Sequence, residues 1–572
     1  MRRILWFVLL AVALLAVACG GAPAPAAQQP AAPAQQAPKA EAPTTAPQAA
    51  APTTAPTQAP KAAAPAATTA PAAQPTAQAA AKTAGQKKIV VGQAELPTSL
   101  DPPTDWAIQA TWVHMNLFDC LVWRNRETNE FAPYLATEWK NIDPTTWRFK
   151  LREGVTFANG EPFNADAVLW TYQRILDDPK MITYNQWTFI KEMKKINDYE
   201  VEFVTKTPEP AFLSKMAGTG CGIQAPGHGK KVGADVATQP VGTGPYKLVD
   251  YKKGDRVILQ ANDKYWGGKP DIDTIEIRAI PEAATRTAAL LSGDIDLTIG
   301  IPPQDWKRIQ DNANLKLEKA LTTQTMILFL RAGASSKYTD WKGVTSDPKI
   351  RQAISYAIDR KAILDLIDGM GIPTLSRITP PTLGWSDKFY NQLGEYNPDK
   401  ARQLLKEAGY DGTPLRMHTA NYLLKQGDVA QAIVAMLEDV GFKVDLNVMD
   451  LTTFREKIYV PYKNEELYFE SLGNSFFDPW IAVLSEQSDR RERSGWSGPQ
   501  ADEADKLIRA AAVNMNPEER AKQYERIQEL MIQDPVMVPL YQQYDMFGMN
   551  KKLNWKPSLD GFLWFGNAKL SQ

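Results

Sequence analysis

The sequence predicts an α/β body of two or three sub-domains behind an N-terminal leader and a long tether. Three observations carry that expectation. The chain beyond residue 86 runs for roughly 485 residues, more than one hydrophobic core serves. Strict alternation over Thr146–Arg152 puts Trp147, Phe149 and Leu151 on one face and Arg148, Lys150 and Arg152 on the other, the pattern of a half-buried strand. Ile350, Ala353, Ile354, Ala357, Ile358 and Ile363 recur at helical spacing, with Asp359 and Arg360 towards the edge of the stripe.

Residues 1–19 read as a secretory leader. Arg2 and Arg3 precede an apolar run from Ile4 to Val17 that is too short to span a bilayer comfortably, and small residues lead to Cys19. The stretch Ala16-Val17-Ala18-Cys19 resembles a bacterial lipobox, with Cys19 as the lipidated N-terminus of the mature chain. Ala16 stands where a branched residue is usual, and an ordinary cleaved signal is the alternative. Residues 20–86 are Ala, Pro, Gln and Thr almost throughout, with Ala42–Pro47 repeated at Ala51–Pro56. Without aromatic residues such a segment cannot offset its ordering entropy. It is expected to be a disordered tether with a reach of over 100 Å at about 3 Å per residue.

The tether and leader hold five basic residues and one acidic residue, so the body carries 59 basic and 64 acidic residues and a net charge of about −5. That balance, with no Lys/Arg block, argues against nucleic acid as a partner. Beyond the leader no apolar run is long enough to cross a membrane. Cys120 and Cys221 can pair in an oxidising compartment if their Cα atoms lie close, but they read first as two buried free thiols.

Phosphate loops, H-E-x-x-H, C-x-x-C and G-x-S-x-G patterns are absent from the sequence. His114, His228 and His418 are too scattered for a metal site, and acidic pairs carry no glycosidase signal without geometry. The expectation is a protein that is no enzyme and needs no cofactor or metal.

The ordered blocks begin with a buried strand at Lys87–Gly92, closed by the Pro-containing loop Glu95–Pro102. After the Thr146–Arg152 strand comes a turn over Glu153–Gly160, and Asn164 is placed to cap a helix. Gly242 and Gly244 beside Pro245 read as a turn where the chain crosses between lobes, and Gly267-Gly268 as a turn between strands.

Leu135–Trp139, Trp147–Phe157, Asn159-Gly160 and Ala165–Val168 resemble the signature region of the family 5 extracellular solute-binding proteins, the oligopeptide, dipeptide and nickel-binding group of ABC importers. Val241–Tyr246, Tyr265–Pro270, Gly293–Asp296, Arg351–Arg360 and Ala401–Tyr410 follow in that family's order. The resemblance implies a periplasmic-binding-protein-like fold of type II, three-domain cluster C, whose two lobes close on ligand about a hinge. On it, residues 87–125, 241–321 and 541–572 make lobe I, 126–240 an extra domain attached to it, and 322–540 lobe II. Lobe II would be rich in helix, over Pro348–Ile367, Asp399–Ala408, Gly427–Val440, Asp502–Ala511 and Pro517–Ile532.

For the ligand site the resemblance implies Glu95 and Leu96, whose backbone would pair with an extended peptide, and Tyr541 near the hinge. In Gly473–Pro479, Ser475 stands where peptide-binding relatives carry an aspartate for the ligand's ammonium. Asn474 lies beside it, and Asp478 or another acid would have to substitute unless the ligand lacks a free amine there. Trp106, Trp480, Trp496 and Trp564 are candidate apolar platforms, Trp496 foremost because Ser494–Gly498 looks mobile.

The expected protein is a monomeric lipoprotein held to the cell membrane only by its anchor, in the periplasm or on the outer surface. It would bind an oligopeptide and serve ABC permease subunits with cytoplasmic ATPases. An oligosaccharide receptor of the same family is the alternative ligand reading. A secreted cell-surface hydrolase, or a chaperone or sensory docking protein, is the alternative of another class. Nickel or haem fits poorly with so few histidines.

Overall fold

The computed structural model describes residues 86–125, 128–459 and 462–571. Cys19 and the tether lie outside the described residues.

An eleven-stranded mixed sheet is the frame. Two long strands, Leu315–Leu330 and Met537–Asn550, pair antiparallel along its middle. On one side Leu297–Ile299, Lys88–Gln93, Thr274–Ala279, Arg256–Ala261 and Tyr246–Lys252 follow in that order. On the other lie Leu467–Leu472, Leu415–Ala420 and Val444–Met449, while Gly371–Pro373 adds to the second long strand. Lys88–Gln93 is parallel to both its neighbours and almost wholly buried, as its unbroken Ile89-Val90-Val91 run requires. The helix Gln426–Asp439 provides the crossover between the parallel strands Leu415–Ala420 and Val444–Met449.

The long strands join the two halves of this sheet, and their register breaks between Leu321 and Thr325, opposite Tyr544 and Gln542. Before the break Met537–Asn550 pairs with Leu297–Ile299 of the first half, and beyond it Leu315–Leu330 pairs with Leu467–Leu472 of the second. Gln542 is fully buried there and donates from Nε2 to the Thr322 carbonyl at 2.6 Å, while Thr322 Oγ1 donates to the Gln543 carbonyl at 3.0 Å. A second shift follows between Met326 and Ile327, and a two-strand crossing with such irregularities is the geometry of a hinge.

A separate antiparallel sheet of four strands carries Thr146–Leu151 at its interior. Trp147, Phe149 and Leu151 are buried in its core, and Arg148 on the other face pairs with Glu202 at 2.6 Å. Asn164 caps the helix Ala165–Asp177, accepting from Ala167 N at 3.3 Å.

Three differences from the sequence reading have plain physical causes. Cys120 and Cys221 form a disulfide with Cα atoms 5.2 Å apart, not two free thiols. Ile223 N donates to the Asp119 carbonyl at 3.0 Å, so the two segments are backbone neighbours despite a separation of 101 residues. The apolar stripe over 350–363 splits into helices Pro348–Ala357 and Arg360–Leu366, because Asp359 turns from the helix edge into an N-cap that accepts from Ala362 N at 3.0 Å. Arg360 is buried rather than edge-lying, and donates to the carbonyls of Pro539 and Leu393. At Gly242 and Gly244 a Cβ would collide with the Leu117 backbone, so the pair serves close chain packing.

Candidate ligand cleft

The parallel strands define where a ligand can sit. Gln93, Ile299, Ala420 and Leu472 are the C-terminal residues of their strands, and the register of each points that end towards the Leu321–Thr325 break. The loops that follow in both halves therefore converge on the hinge, the position at which open α/β sheets bind ligands. A cavity of about 710 Å³ lined by Trp341, Pro414, Arg416, Asp445 and Glu466 opens at the opposite, N-terminal ends of the strands, where Arg416 and Glu466 pair at 2.8 Å.

Across the hinge the four-stranded domain meets the loop Gly473–Pro479. Arg124 is nearly fully buried, donates to the carbonyls of Phe476 and Ser214, and stands over the rings of Phe131 and Phe477 at 5.0 and 5.3 Å. Burial pulls its guanidinium down to about 9 against the supporting charge of Asp478. Asn129 donates to the Phe477 carbonyl at 3.3 Å, and the Lys215 ammonium sits 4.6 Å from the Trp480 ring centre. Phe477 has φ 50°, a conformation that a phenylalanine holds only under the constraint of such contacts.

The predicted site residues divide. Glu95 is exposed and Leu96 half-buried in the loop after Lys88–Gln93. Asn474 is buried, donates from Nδ2 to the Asp478 carbonyl at 3.2 Å, and leaves Oδ1 without a partner. Ser475 is half-buried beside it. Trp564 is half-buried 4.9 Å from the Trp123 ring, its indole nitrogen unpartnered, and Trp123 lies 5.0 Å from Tyr134. Trp106 is 45% exposed on the loop preceding the helix Ile108–Leu117.

Three assignments are corrected. Trp496 is fully buried and donates from Nε1 to Asp534 at 2.8 Å, so it is a core residue rather than a platform on a mobile loop. Tyr541 is likewise buried, in the core beneath the long strands and against Gly371. Asp478 has no free carboxylate to offer an ammonium: both its oxygens accept from Arg520, at 2.7 and 2.9 Å, with both side chains buried. Trp480 faces the other domain through Lys215.

Sequence reasoning missed a charged cluster in the second half. Glu470, on Leu467–Leu472, is 3% exposed and accepts from the Tyr459 hydroxyl at 2.7 and 2.8 Å. Burial is the main cause that raises its carboxyl. Arg493 lies 3.6 Å from Glu470 and 4.9 Å from the Tyr459 ring. Arg377 donates to the Ala482 carbonyl at 3.1 Å. Burial, then the charge of Arg493, holds Arg377 down to about 10. The signal for Glu470 was present, a lone acid inside the largely apolar strand Leu467–Leu472. Tyr422, after Leu415–Ala420, is 39% exposed.

Residues 130–488, more than half of the chain, match the model of the bacterial extracellular solute-binding proteins, family 5 middle region. The chain is 27% identical over 473 residues to the glutathione-binding protein GsiB of Escherichia coli K12, covering 79% of this chain and 88% of that one. The Salmonella typhi glutathione-binding protein is 27% identical over 412 residues, 70% and 78% of the two chains. Among solved structures, the fold is similar to Helicobacter pylori DppA in complex with the peptide STSA, with TM-score 0.73, 24% identity and coverage of 85% and 98%. Bacillus subtilis AppA in complex with a nonapeptide gives TM-score 0.73 and 24% identity, covering 85% and 100%. The chain shares the two-lobed periplasmic-binding-protein fold of these structures.

Proposed function

The chain belongs to the bacterial extracellular solute-binding proteins, family 5, and from that premise we propose that it captures an oligopeptide between its lobes for the permease of an ABC importer. The observation that carries the reading is the convergence of strand C-termini from both lobes on the Leu321–Thr325 hinge. Ligand bridging the two sets of loops favours the closed arrangement by its differential affinity for it. The glutathione-binding and peptide-bound relatives support a peptidic solute.

In this reading Glu95, Leu96, Asn474 and Ser475 contact ligand, Trp564 offers an aromatic wall beside Trp123, and Arg124 joins the lobes. Lobe I is residues 87–125, 241–321 and 541–572, the extra domain 126–240 and lobe II 322–540. Cys19 carries a lipid, the tether gives the receptor reach above the membrane, and cytoplasmic ATPases drive the uptake that follows. The receptor itself turns nothing over. An oligosaccharide is the second reading, favoured by the unpartnered indole nitrogen of Trp564, whose ring lies against Trp123.

Thermal melting of the purified chain against separate peptide and oligosaccharide panels tests this, after unfolding and refolding to strip bound solute, because a ligand of the folded state raises the melting temperature. A shift with peptides supports the reading. A shift with sugars alone replaces it with the second.

A further inference from the structure

Glu95 and Leu96 stand on a loop, residues 94–101, that belongs to no strand or helix. Its backbone is held by other means. Asp105 gathers it from within: one carboxylate oxygen accepts from Thr98 N at 2.8 Å and Thr98 Oγ1 at 2.7 Å, and the other from Ala107 N at 3.0 Å. From lobe I the Tyr251 hydroxyl donates to the Pro97 carbonyl at 2.6 Å, and His114 Nε2 lies 3.1 Å from the Ser99 carbonyl.

The remaining anchors come from residues 126–240, the extra domain of the proposed organisation. Asp101 is 4% exposed, and one of its oxygens accepts from Arg174 Nη2 at 2.6 Å and from Gln224 Nε2 at 2.8 Å. Arg174 is the one cation that forms an ion pair with it among the described residues. Leu100 N donates to the Ala237 carbonyl at 2.8 Å, and Thr183 N to the Pro103 carbonyl at 3.2 Å. Arg174 lies on the helix Ala165–Asp177, and Gln224 follows Cys221, whose disulfide to Cys120 ties that segment to lobe I. At Gly222, between them, a Cβ would fall 2.7 Å from Phe118 Cβ and 3.3 Å from Pro102 Cγ, so the segment lies directly against the loop. Four segments of the extra domain thus close on Leu100–Pro103, a few residues beyond Leu96.

We propose that Arg174 and Gln224 are positioning residues of the ligand site: through Asp101 they let the extra domain hold the loop 94–101 ready for solute without touching solute themselves. The proposal rests on the reading of Glu95 and Leu96 as ligand contacts and gives the extra domain its part in capture. A loop ordered in advance spares the binding step the entropy of ordering it. Without the clamp that entropy is lost at each capture, and affinity falls although no ligand contact has been removed.

Hydrogen exchange and calorimetric titration of the full chain with glutathione and with tetra-alanine test this on Arg174→Gln, Arg174→Lys and Gln224→Ala. The amides to follow are those of Thr98, Leu100 and Asp101, each of which donates a hydrogen bond. In ligand-free R174Q they should exchange at least about tenfold faster than in the parent, with the four-stranded sheet unchanged, and peptide affinity should fall about tenfold, the worth of one charge-assisted hydrogen bond. Saturating peptide should return the loop towards the parent's slow exchange. R174K keeps the cation and should recover part of both effects. Q224A removes a neutral hydrogen bond from the same carboxylate oxygen, leaves the ion pair to hold the fold, and should show both effects more weakly; it carries the test if R174Q does not fold. Faster exchange spread over the whole extra domain, with peptide affinity unchanged, marks a merely structural arginine and overturns the proposal. Loop exchange at the parent's rate in both variants overturns it too, as does a loosened loop that binds peptide as tightly as before. If the parent binds neither peptide, the peptide reading falls by itself, and loop exchange in R174Q and Q224A still decides whether the clamp exists.

Discussion

Replacing Asp478 with asparagine separates a structural carboxylate from a ligand-binding one. Asp478 and Arg520 form a two-pronged pair, each side chain about 5% exposed, and Asp478 also accepts from Trp480 N at 3.0 Å. In Asp478→Asn the Arg520 guanidinium stays buried beside Tyr524 and the Ala511 carbonyl without a counter-charge. Breaking one side of a buried pair costs about 3–5 kcal/mol. With an unfolding entropy of about 2.1 cal/mol/K per residue, that is a fall of roughly 3–5 °C for a cooperative body of this size. Adding Arg520→Gln should recover about 2 kcal/mol or more, because no unpaired charge then remains. Urea unfolding followed by tryptophan fluorescence measures both. A D478N protein as stable as its parent, with peptide affinity reduced more than about tenfold, would refute the structural role and return Asp478 to the ligand.

Three further outcomes follow from the same geometry. Cys120→Ser with Cys221→Ser should cost about 2–5 kcal/mol in chemical denaturation, because the bond closes a loop of about 100 residues. Asp545→Asn should stabilise the protein by about 1–2 kcal/mol at pH 7: burial holds this carboxyl up to about 6, above its unfolded value, so ionisation between pH 4 and 7 costs the fold, discounted for its partial exposure. That gain should vanish below about pH 4 in melts across pH, and a gain that persists there sinks the assignment. Trp496→Phe should lose about 1–3 kcal/mol with its bond to Asp534 and leave ligand affinity unchanged, whereas lost affinity in titrations would restore Trp496 to the cleft.

Much of the fold was legible because local pattern and tertiary demand agree. The alternation over Thr146–Leu151 predicts the face that packs, and Asn164 caps the helix that its position suggests. The ordered blocks of the family resemblance carried the architecture. What escaped depends on contacts distant in sequence. The Cys120–Cys221 bond rests on two chain segments meeting at Asp119 and Ile223. Trp496 looked mobile because glycines flank it, but its indole finds Asp534, 38 residues away, inside the core. The break at Ile358 is set by Asp359 choosing a cap over an exposed helix edge. Site residues were hardest, since Asp478 differs from a free ligand-binding acid only through Arg520.

Hydrogen exchange of the full chain with and without a peptide that raises its melting temperature tests the central claim most directly. Capture between the lobes predicts slowed exchange on both sides of the hinge, in residues 93–96 of lobe I and 473–479 of lobe II, together with the Leu321–Thr325 crossing. Protection confined to the Trp341–Arg416 cavity at the far strand ends, or to one lobe alone, would contradict it.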